Sequence, residues 1–269
     1  FTWQAVTGNG LSPMPYLVHG ETHIGRPDSN STHDDTVTLT IPAGSVIKFN
    51  VNQFDRTNYK SRLTASGILN LQASAGHEIV FTSYYDNAYG GSTAAEAVTP
   101  LVQDWGDVLV RNRLSVFDYT IFRYGNKALH LQNNESDSTY TFNQSISHSL
   151  FEYKEYGVYL DIYNNGDIMP LMANDTFTGN SYGLGTYARN TLNETEANKA
   201  TGMSIPTIRQ TVFASSTQFP IYLNGTATLE FLEATTTFHD NVHRGIGLGG
   251  YFGGDSASIQ MKFPRIAGD

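Results

Sequence analysis

Phe117-Asp-Tyr-Thr-Ile-Phe122, Ile146-Ser-His-Ser-Leu-Phe151, Met172-Ala-Asn-Asp-Thr-Phe177, Ile208-Arg-Gln-Thr-Val-Phe213 and Ala234-Thr-Thr-Thr-Phe238 are five versions of one phrase. Each is a short strand ending in phenylalanine. Each then runs through a polar turn and a Gly or Pro (Gly125, Gly157, Gly183, Pro220, Gly245) into a second apolar segment, such as Ala128-Leu-His-Leu131 or Ile221-Tyr-Leu223. The anchoring phenylalanines are 29, 26, 36 and 25 residues apart. The period is therefore in the mid-twenties, with insertions at the polar stretches around Asn134 and Asn193.

A single turn of short strands cannot bury its own inward face, whereas stacked turns bury a continuous column of like side chains. Phenylalanines at one phase of such a stack lie at the parallel-strand spacing of about 4.8 Å. The repeat therefore predicts an all-β fold, a right-handed parallel β-helix (solenoid) with short coils, and places Phe122, Phe151, Phe177, Phe213 and Phe238 in its core.

The first half follows the same plan more loosely. Asp35-Thr-Val-Thr-Leu-Thr-Ile41 alternates apolar and polar residues, Pro42-Ala-Gly44 is a turn, and Ser45-Val-Ile-Lys-Phe49 is a second strand. Arg62 to Gly67, Ile68 to Leu71 and Glu78 to Thr82 read as three more. Residues 83–104 break the pattern and read as a long loop leaving the solenoid, a class of loop that is usually functional or disordered. The expected organisation is an N-terminal extension over 1–20, a candidate inter-subunit strand, and one β-helix domain over 21–269.

Composition agrees. The 269 residues are 39% hydrophobic and 12% aromatic but only 15% charged, which suits a large core and excludes global disorder. A net charge of -9 disfavours nucleic acid and anionic membrane surfaces as partners. Arg111, Arg113, Arg123 and Lys127 form a small basic cluster that reads as solvent-side charge on strands. There is no cysteine, hence neither a disulfide framework nor a thiolate metal site. No apolar run approaches a membrane span. A chain starting at Phe1 rather than Met suggests processing, and export is the expectation.

The succession Pro15-Tyr-Leu-Val18, Leu39-Thr-Ile-Pro-Ala-Gly-Ser-Val-Ile-Lys-Phe49, Leu63-Thr-Ala-Ser-Gly-Ile-Leu-Asn-Leu-Gln-Ala73, Ile79-Val-Phe-Thr-Ser83 and Asp104-Trp-Gly106 resembles the opening of bacterial extracellular proteins built on right-handed parallel β-helix repeats. The resemblance spans roughly residues 15 to 260. It departs at Asp107, where the family commonly has a second glycine. It implies a fold and an extracellular or cell-surface location, in a family of surface proteins, adhesins and modules of carbohydrate-active enzymes, but no reaction.

No catalytic constellation is legible. Polysaccharide hydrolases of this fold need converging carboxylates, and lyases need a base with charge neutralisation. The phrase before the anchoring phenylalanine carries Asp118, His148, Asp175, Gln210 and Thr236, which reads as an outward strand face; Asp118 with Asp175 and His148 is the weak catalytic alternative. His19 and His23, like His239 and His243, are four apart, a ligand spacing only on a helix. No cofactor is expected. Calcium ligands are available in Asp86 and Asn87 with Asp104 or Asp107.

Six sequons are present, at Asn30, Asn134, Asn143, Asn174, Asn193 and Asn224, and mark candidate glycosylation sites of an exported protein. Both ends read as uncapped strands. Phe1, Trp3 and Val6 at one end and Ile259, Met261 and Phe263 at the other are therefore the candidate subunit contacts of a head-to-tail polymer assembled by strand donation, the alternative being that Phe1 to Val6 folds back to cap its own solenoid. The expected function is that of a non-enzymatic structural or adhesive surface glycoprotein with itself, and surface glycans, as partners. The alternative is a polysaccharide-binding or polysaccharide-cleaving β-helix with Tyr84, Tyr85, Tyr89 and Trp105 as its sugar platform.

Overall fold

The computed structural model describes residues 2–3, 14–26, 33–51, 60–94, 97–135, 137–188, 201–233, 235–243, 245–249 and 259–262. Its strands form eight coils of three. Coil 1 is Tyr16–Val18 (β1), Glu21–Ile24 (β2) and Asp34–Thr40 (β3); coil 2 is Val46–Phe49 (β4), Arg62–Ala65 (β5) and Gly67–Gln72 (β6). Coil 3 is Ile79–Ser83 (β7), Trp105–Val110 (β8) and Val116–Asp118 (β9); coil 4 is Thr120–Arg123 (β10), Gly125–Asn133 (β11) and Ser145–Ser147 (β12). Coil 5 is Leu150–Glu152 (β13), Tyr156–Ile162 (β14) and Leu171–Ala173 (β15); coil 6 is Thr176–Thr178 (β16), Tyr182–Ala188 (β17) and Thr207–Arg209 (β18). Coil 7 is Val212–Ala214 (β19), Ile221–Asn224 (β20) and Ala227–Phe231 (β21); coil 8 is Thr237–His239 (β22), Ile246–Gly249 (β23) and Ile259–Lys262 (β24).

Every strand pairs in parallel with the strand three places on, so the first strands of all coils form one eight-stranded sheet (sheet B), the second strands another (sheet C) and the third strands a third (sheet A). This is a solenoid-like all-β fold. No helix is present among the described residues, and hence none long and apolar enough to cross a membrane. The first coil begins at Tyr16, inside the stretch assigned from sequence to the extension.

The register of sheet B sets Phe81, Phe122, Phe151, Phe177, Phe213 and Phe238 opposite one another in one row. Their rings stack at centroid separations of 5.1, 5.2, 4.7, 4.7 and 5.1 Å, all within 11° of parallel. The first five are fully buried. Phe238 is 39% exposed, which corrects its assignment to the core: among the described residues it is the last ring of the column, stacked on Phe213 on one side. Sheet A adds a second inward row, Phe117, Ile146, Met172, Ile208 and Phe231.

Two left-handed residues flank the phenylalanine strands of coils 4 to 7, and coil 8 has the second of them. Three positions before the ring stand Tyr119, His148, Asn174 and Gln210, with φ of 50, 49, 60 and 48°; two positions after it stand Tyr124, Tyr153, Gly179, Ser215 and Asp240, with φ of 62, 57, 64, 52 and 56°. One such residue swings the chain sharply, at a cost of about 1–2 kcal/mol for a side-chain-bearing residue. The corner is held because its N–H still reaches the next coil: Tyr119, His148 and Asn174 donate to the carbonyls of Ser147, Ala173 and Arg209, each at 3.1 Å.

Inside the corners, polar side chains replace missing backbone partners. Asn180 donates to Phe151 O (2.9 Å) and accepts from Lys154 N (3.0 Å); Asn241 does the same with Phe213 O (3.0 Å) and Ser216 N (2.9 Å). Lys154 occupies the position equivalent to Asn180. It is fully buried, its Nζ lies 4.0 Å over the Trp105 ring, and it has no hydrogen-bond partner among the described residues. Burial, reinforced by the Arg123 charge, holds its amine well below the usual lysine range.

Phe177→Ala should cost about 3–5 kcal/mol of stability, and Phe238→Ala about 1 kcal/mol because that ring already meets solvent; urea denaturation of the two variants checks the ratio. Lys154→Met should be more stable than the parent at pH 7. The unfolded chain binds a proton that the folded chain does not, so parent stability rises with pH from the folded value up to 10.5, and the advantage of the variant should fade as 10.5 is passed. Paired melts across that range test the sign.

Candidate functional site

The outward face of sheet C carries the densest polar cluster. Successive outward positions of β8, β11 and β14 bring Asp107, His130 and Asp161 together from three adjacent coils. His130 Nδ1 lies 2.8 Å from Asp107 Oδ2, and His130 Nε2 lies 2.9 Å from Asp161 Oδ2. The imidazole thus bridges one carboxylate on each side, from the coil before and the coil after its own.

All three side chains are nearly covered, at 5, 3 and 4% exposure for His130, Asp107 and Asp161. Arg62 Nε closes on Asp107 Oδ1 at 2.9 Å. Gln132 donates to Asp161 Oδ2 (3.1 Å) and accepts from Arg111 Nε (2.8 Å). The Tyr159 ring stands edge-on to His130 at 5.3 Å and carries Lys127 Nζ 3.9 Å above its face. Burial raises the Asp107 carboxyl, but the hydrogen bond and charge of His130, with Arg62 and Lys127, outweigh it and hold the group below its ordinary range.

A second cluster lies on the outer face of sheet B. Arg123 pairs with Asp86 (2.7 Å) and Glu152 (2.6 Å), and its guanidinium lies over the rings of Tyr89 and Tyr124 at 5.2 and 4.9 Å. Asp86 also accepts from Thr82 Oγ1 (2.6 Å), while Lys48 Nζ donates to Gly91 O and, at 3.1 Å, to Thr93 Oγ1. The segment between β7 and β8, expected to leave the solenoid, is thus fastened back on it: two outward cations of sheet B need partners, and the segment supplies them.

The basic cluster is correspondingly not solvated charge. Arg111, Arg123 and Lys127 are engaged as described, and Arg113 stacks on Tyr140 at 4.5 Å. The proposed sugar platform does not form either. Trp105 is fully buried, stacked 4.2 Å from Phe49, and Tyr85 is buried.

Among the expected calcium ligands, Asp86 is committed to Arg123 and Thr82, Asp104 accepts from Ser83 Oγ (2.7 Å) and Leu101 N (3.0 Å), and Asp107 belongs to the clamp. No group of three metal-ligating side chains occurs among the described residues. His19 meets Asn50 (2.9 Å) and His239 meets Asp240 (2.9 Å).

Asp118, His148 and Asp175 separate. Asp118 Oδ1 accepts from His148 Nδ1 and Ser147 Oγ, both at 2.9 Å, on the outside. Asp175 points inward, 1% exposed, where its Oδ1 accepts from Ser149 N at 2.8 Å and burial pushes its carboxyl well above the usual range. One polar phrase therefore supplies both faces, since the corner turns between these positions.

Asn143 and Asn174 are exposed, Asn134 and Asn224 half-buried; Asn30 and Asn193 lie outside the described residues, as do Phe1, Val6 and Phe263. Thr2 and Trp3 lie on the chain's own first coil: Thr2 bridges to Thr40, Trp3 N donates to Thr40 O at 3.1 Å, and the Trp3 ring sits 4.9 Å from Tyr16. Ile259 and Met261 pair with Ala227 and Leu229 of β21 in the same chain.

Sequence reading missed the Asp107–His130–Asp161 clamp. Its members are 23 and 31 residues apart, close to one and to slightly more than one coil, and a search for ionisable residues at the coil period in sheet C rather than at the phenylalanine phrase would have found it. The chain matches no protein-family model, no curated protein and no solved structure.

His130→Leu leaves two buried carboxylates without their shared hydrogen-bond partner and should cost about 3–5 kcal/mol. Adding Asp107→Asn and Asp161→Asn should recover part of that loss in denaturant melts. Asp107, held low in the folded state, contributes stability that is present above 3.8 and is lost as pH falls through its folded value. Asp107→Asn should accordingly flatten the acid limb of the stability profile.

Proposed function

We propose that the protein is a non-enzymatic structural or adhesive glycoprotein of the cell surface or extracellular space, a right-handed parallel β-helix whose copies join head to tail. The right hand follows from the preference that strand twist imposes on parallel crossovers. The observation that carries the reading is the open end of the phenylalanine column. Phe238 is 39% exposed where its five predecessors are buried, and Val242 and Leu248 of the same coil are 66 and 56% exposed.

That end holds an open cleft of about 500 Å³ lined by Phe238, His239, Asp240 and Asn241. At the other end of the solenoid, Leu17 of β1 and Met14 are exposed. Among the described residues, β1 and β2 at one end and β22 and β23 at the other pair on one side only, and such edges next to apolar side chains suit a heterologous contact that repeats without closing. The exposed sequon residues Asn143 and Asn174 support the glycoprotein part of the reading.

A second reading, a polysaccharide-binding or polysaccharide-cleaving solenoid, draws on sheet C, where Tyr159 stands on the outward face with Lys127 Nζ 3.9 Å over its ring. The two readings separate in one experiment. Negative-stain microscopy and light scattering of the intact protein should show particles that lengthen with concentration, and Phe238→Glu with Val242→Glu should return them to monomer. Monodisperse monomer at all concentrations, with binding to a polysaccharide panel that Tyr159→Ala abolishes, would overturn the first reading in favour of the second.

A further inference from the structure

The inward row of sheet B is built from phenylalanine, whereas two of the outward stacked pairs between coils are made of two tyrosines. Tyr156 of coil 5 and Tyr182 of coil 6 are register partners, with ring centroids 4.7 Å apart and planes 13° from parallel. Tyr124 of coil 4 and Tyr153 of coil 5, both left-handed corner residues, stack at 5.4 Å and 10°. Tyr124, Tyr156 and Tyr182 are half-buried and Tyr153 is exposed. Each pair therefore combines ring contact with access to a soluble reagent.

The ladder fixes these contacts. Val158 and Leu184, two residues on from the first pair, are inward register partners buried in the core. Between them, a Cβ on Gly157 would lie 2.6 Å from Gly183 O and from the Phe177 ring, so the strands are packed as closely as backbone allows. The ladder therefore keeps the backbones of the two tyrosines in register. The chain has no cysteine, so a covalent tie between coils has to come from another side chain.

We propose that Tyr156–Tyr182 and Tyr124–Tyr153 are dityrosine cross-linking sites that covalently join neighbouring coils under a one-electron oxidant acting with hydrogen peroxide. Each phenol gives up one electron and one proton, leaving a phenoxyl radical whose spin is shared with the ring carbon beside the oxygen-bearing carbon. Two such carbons form one carbon–carbon bond. The hydrogen on each then moves to its oxygen and restores both phenols, while the two electrons and two protons convert one peroxide to two waters. Stacked rings hold the coupling carbons together before the radicals form, which favours the intramolecular product over a bond between molecules.

The test oxidises the full-length protein at high dilution with hydrogen peroxide and a haem peroxidase, isolates the monomer and maps cross-linked peptides by mass spectrometry. Peptides joining Tyr156 to Tyr182 and Tyr124 to Tyr153 are expected, with dityrosine fluorescence in the monomer fraction and a thermal midpoint raised over unoxidised protein. Tyr182→Phe should remove the first link alone and Tyr153→Phe the second alone, since each keeps its ring and loses only the hydroxyl. Protein unfolded in urea before oxidation should lose the preference for these pairs. Oxidation of other tyrosines without these two links in the monomer, or the same links in the same proportion from unfolded protein, would overturn the proposal.

Discussion

In a stack of parallel strands each side chain rests on its counterpart one coil away, at a spacing that the backbone hydrogen bonds set. Everything else here answers to that constraint. It rewards like on like where the surface is flat and apolar, which is why one row of sheet B is phenylalanine for six coils. It penalises like charges in the same row, since two carboxylates at strand spacing repel. The outward rows obey this second clause: Asp107, Lys127 and Tyr156 follow one another in register, and the two acids of the clamp meet through a histidine.

The corners show how the stack is kept narrow. In coils 5 to 7 the sheet B strands have three residues, room for one ring, and a left-handed residue on each side turns the chain away. The interior of each corner then needs hydrogen-bonding groups in place of a ladder. Asn180, Asn241 and Asp175 supply them, the last with its carboxyl pushed well above the usual range by burial. Lys154 breaks this pattern. An aromatic face is a poor substitute for water around an amine, so this residue trades stability for contact with Trp105.

The outer surface is largely occupied by the molecule's own contacts. Arg123 and Lys48 fasten the segment after β7, the clamp ties coils 3, 4 and 5, and Tyr124 with Tyr153 and Tyr156 with Tyr182 extend the tie to coil 6. The ends differ in kind. Trp3 lies on Tyr16 at the first coil, while Phe238 meets solvent at the last, so the two ends present different surfaces to any neighbour.

From the sequence by itself came the all-β class, the coil period, the phenylalanine row and the position of the long insertion, because periodicity of apolar residues is a local signal that survives in one dimension. What only the tertiary structure decided was which polar residues meet. The phrase holding Asp118, His148 and Asp175 reads as one face along the chain, yet a left-handed residue between its members sends two outward and one inward. Asp107, His130 and Asp161 look unrelated in order but become a clamp, because insertions of different length between strands shift the sequence distance while the hydrogen-bonded register stays constant. Contact in a solenoid is set by coil number and strand position, and neither can be counted along the chain until the corners are known.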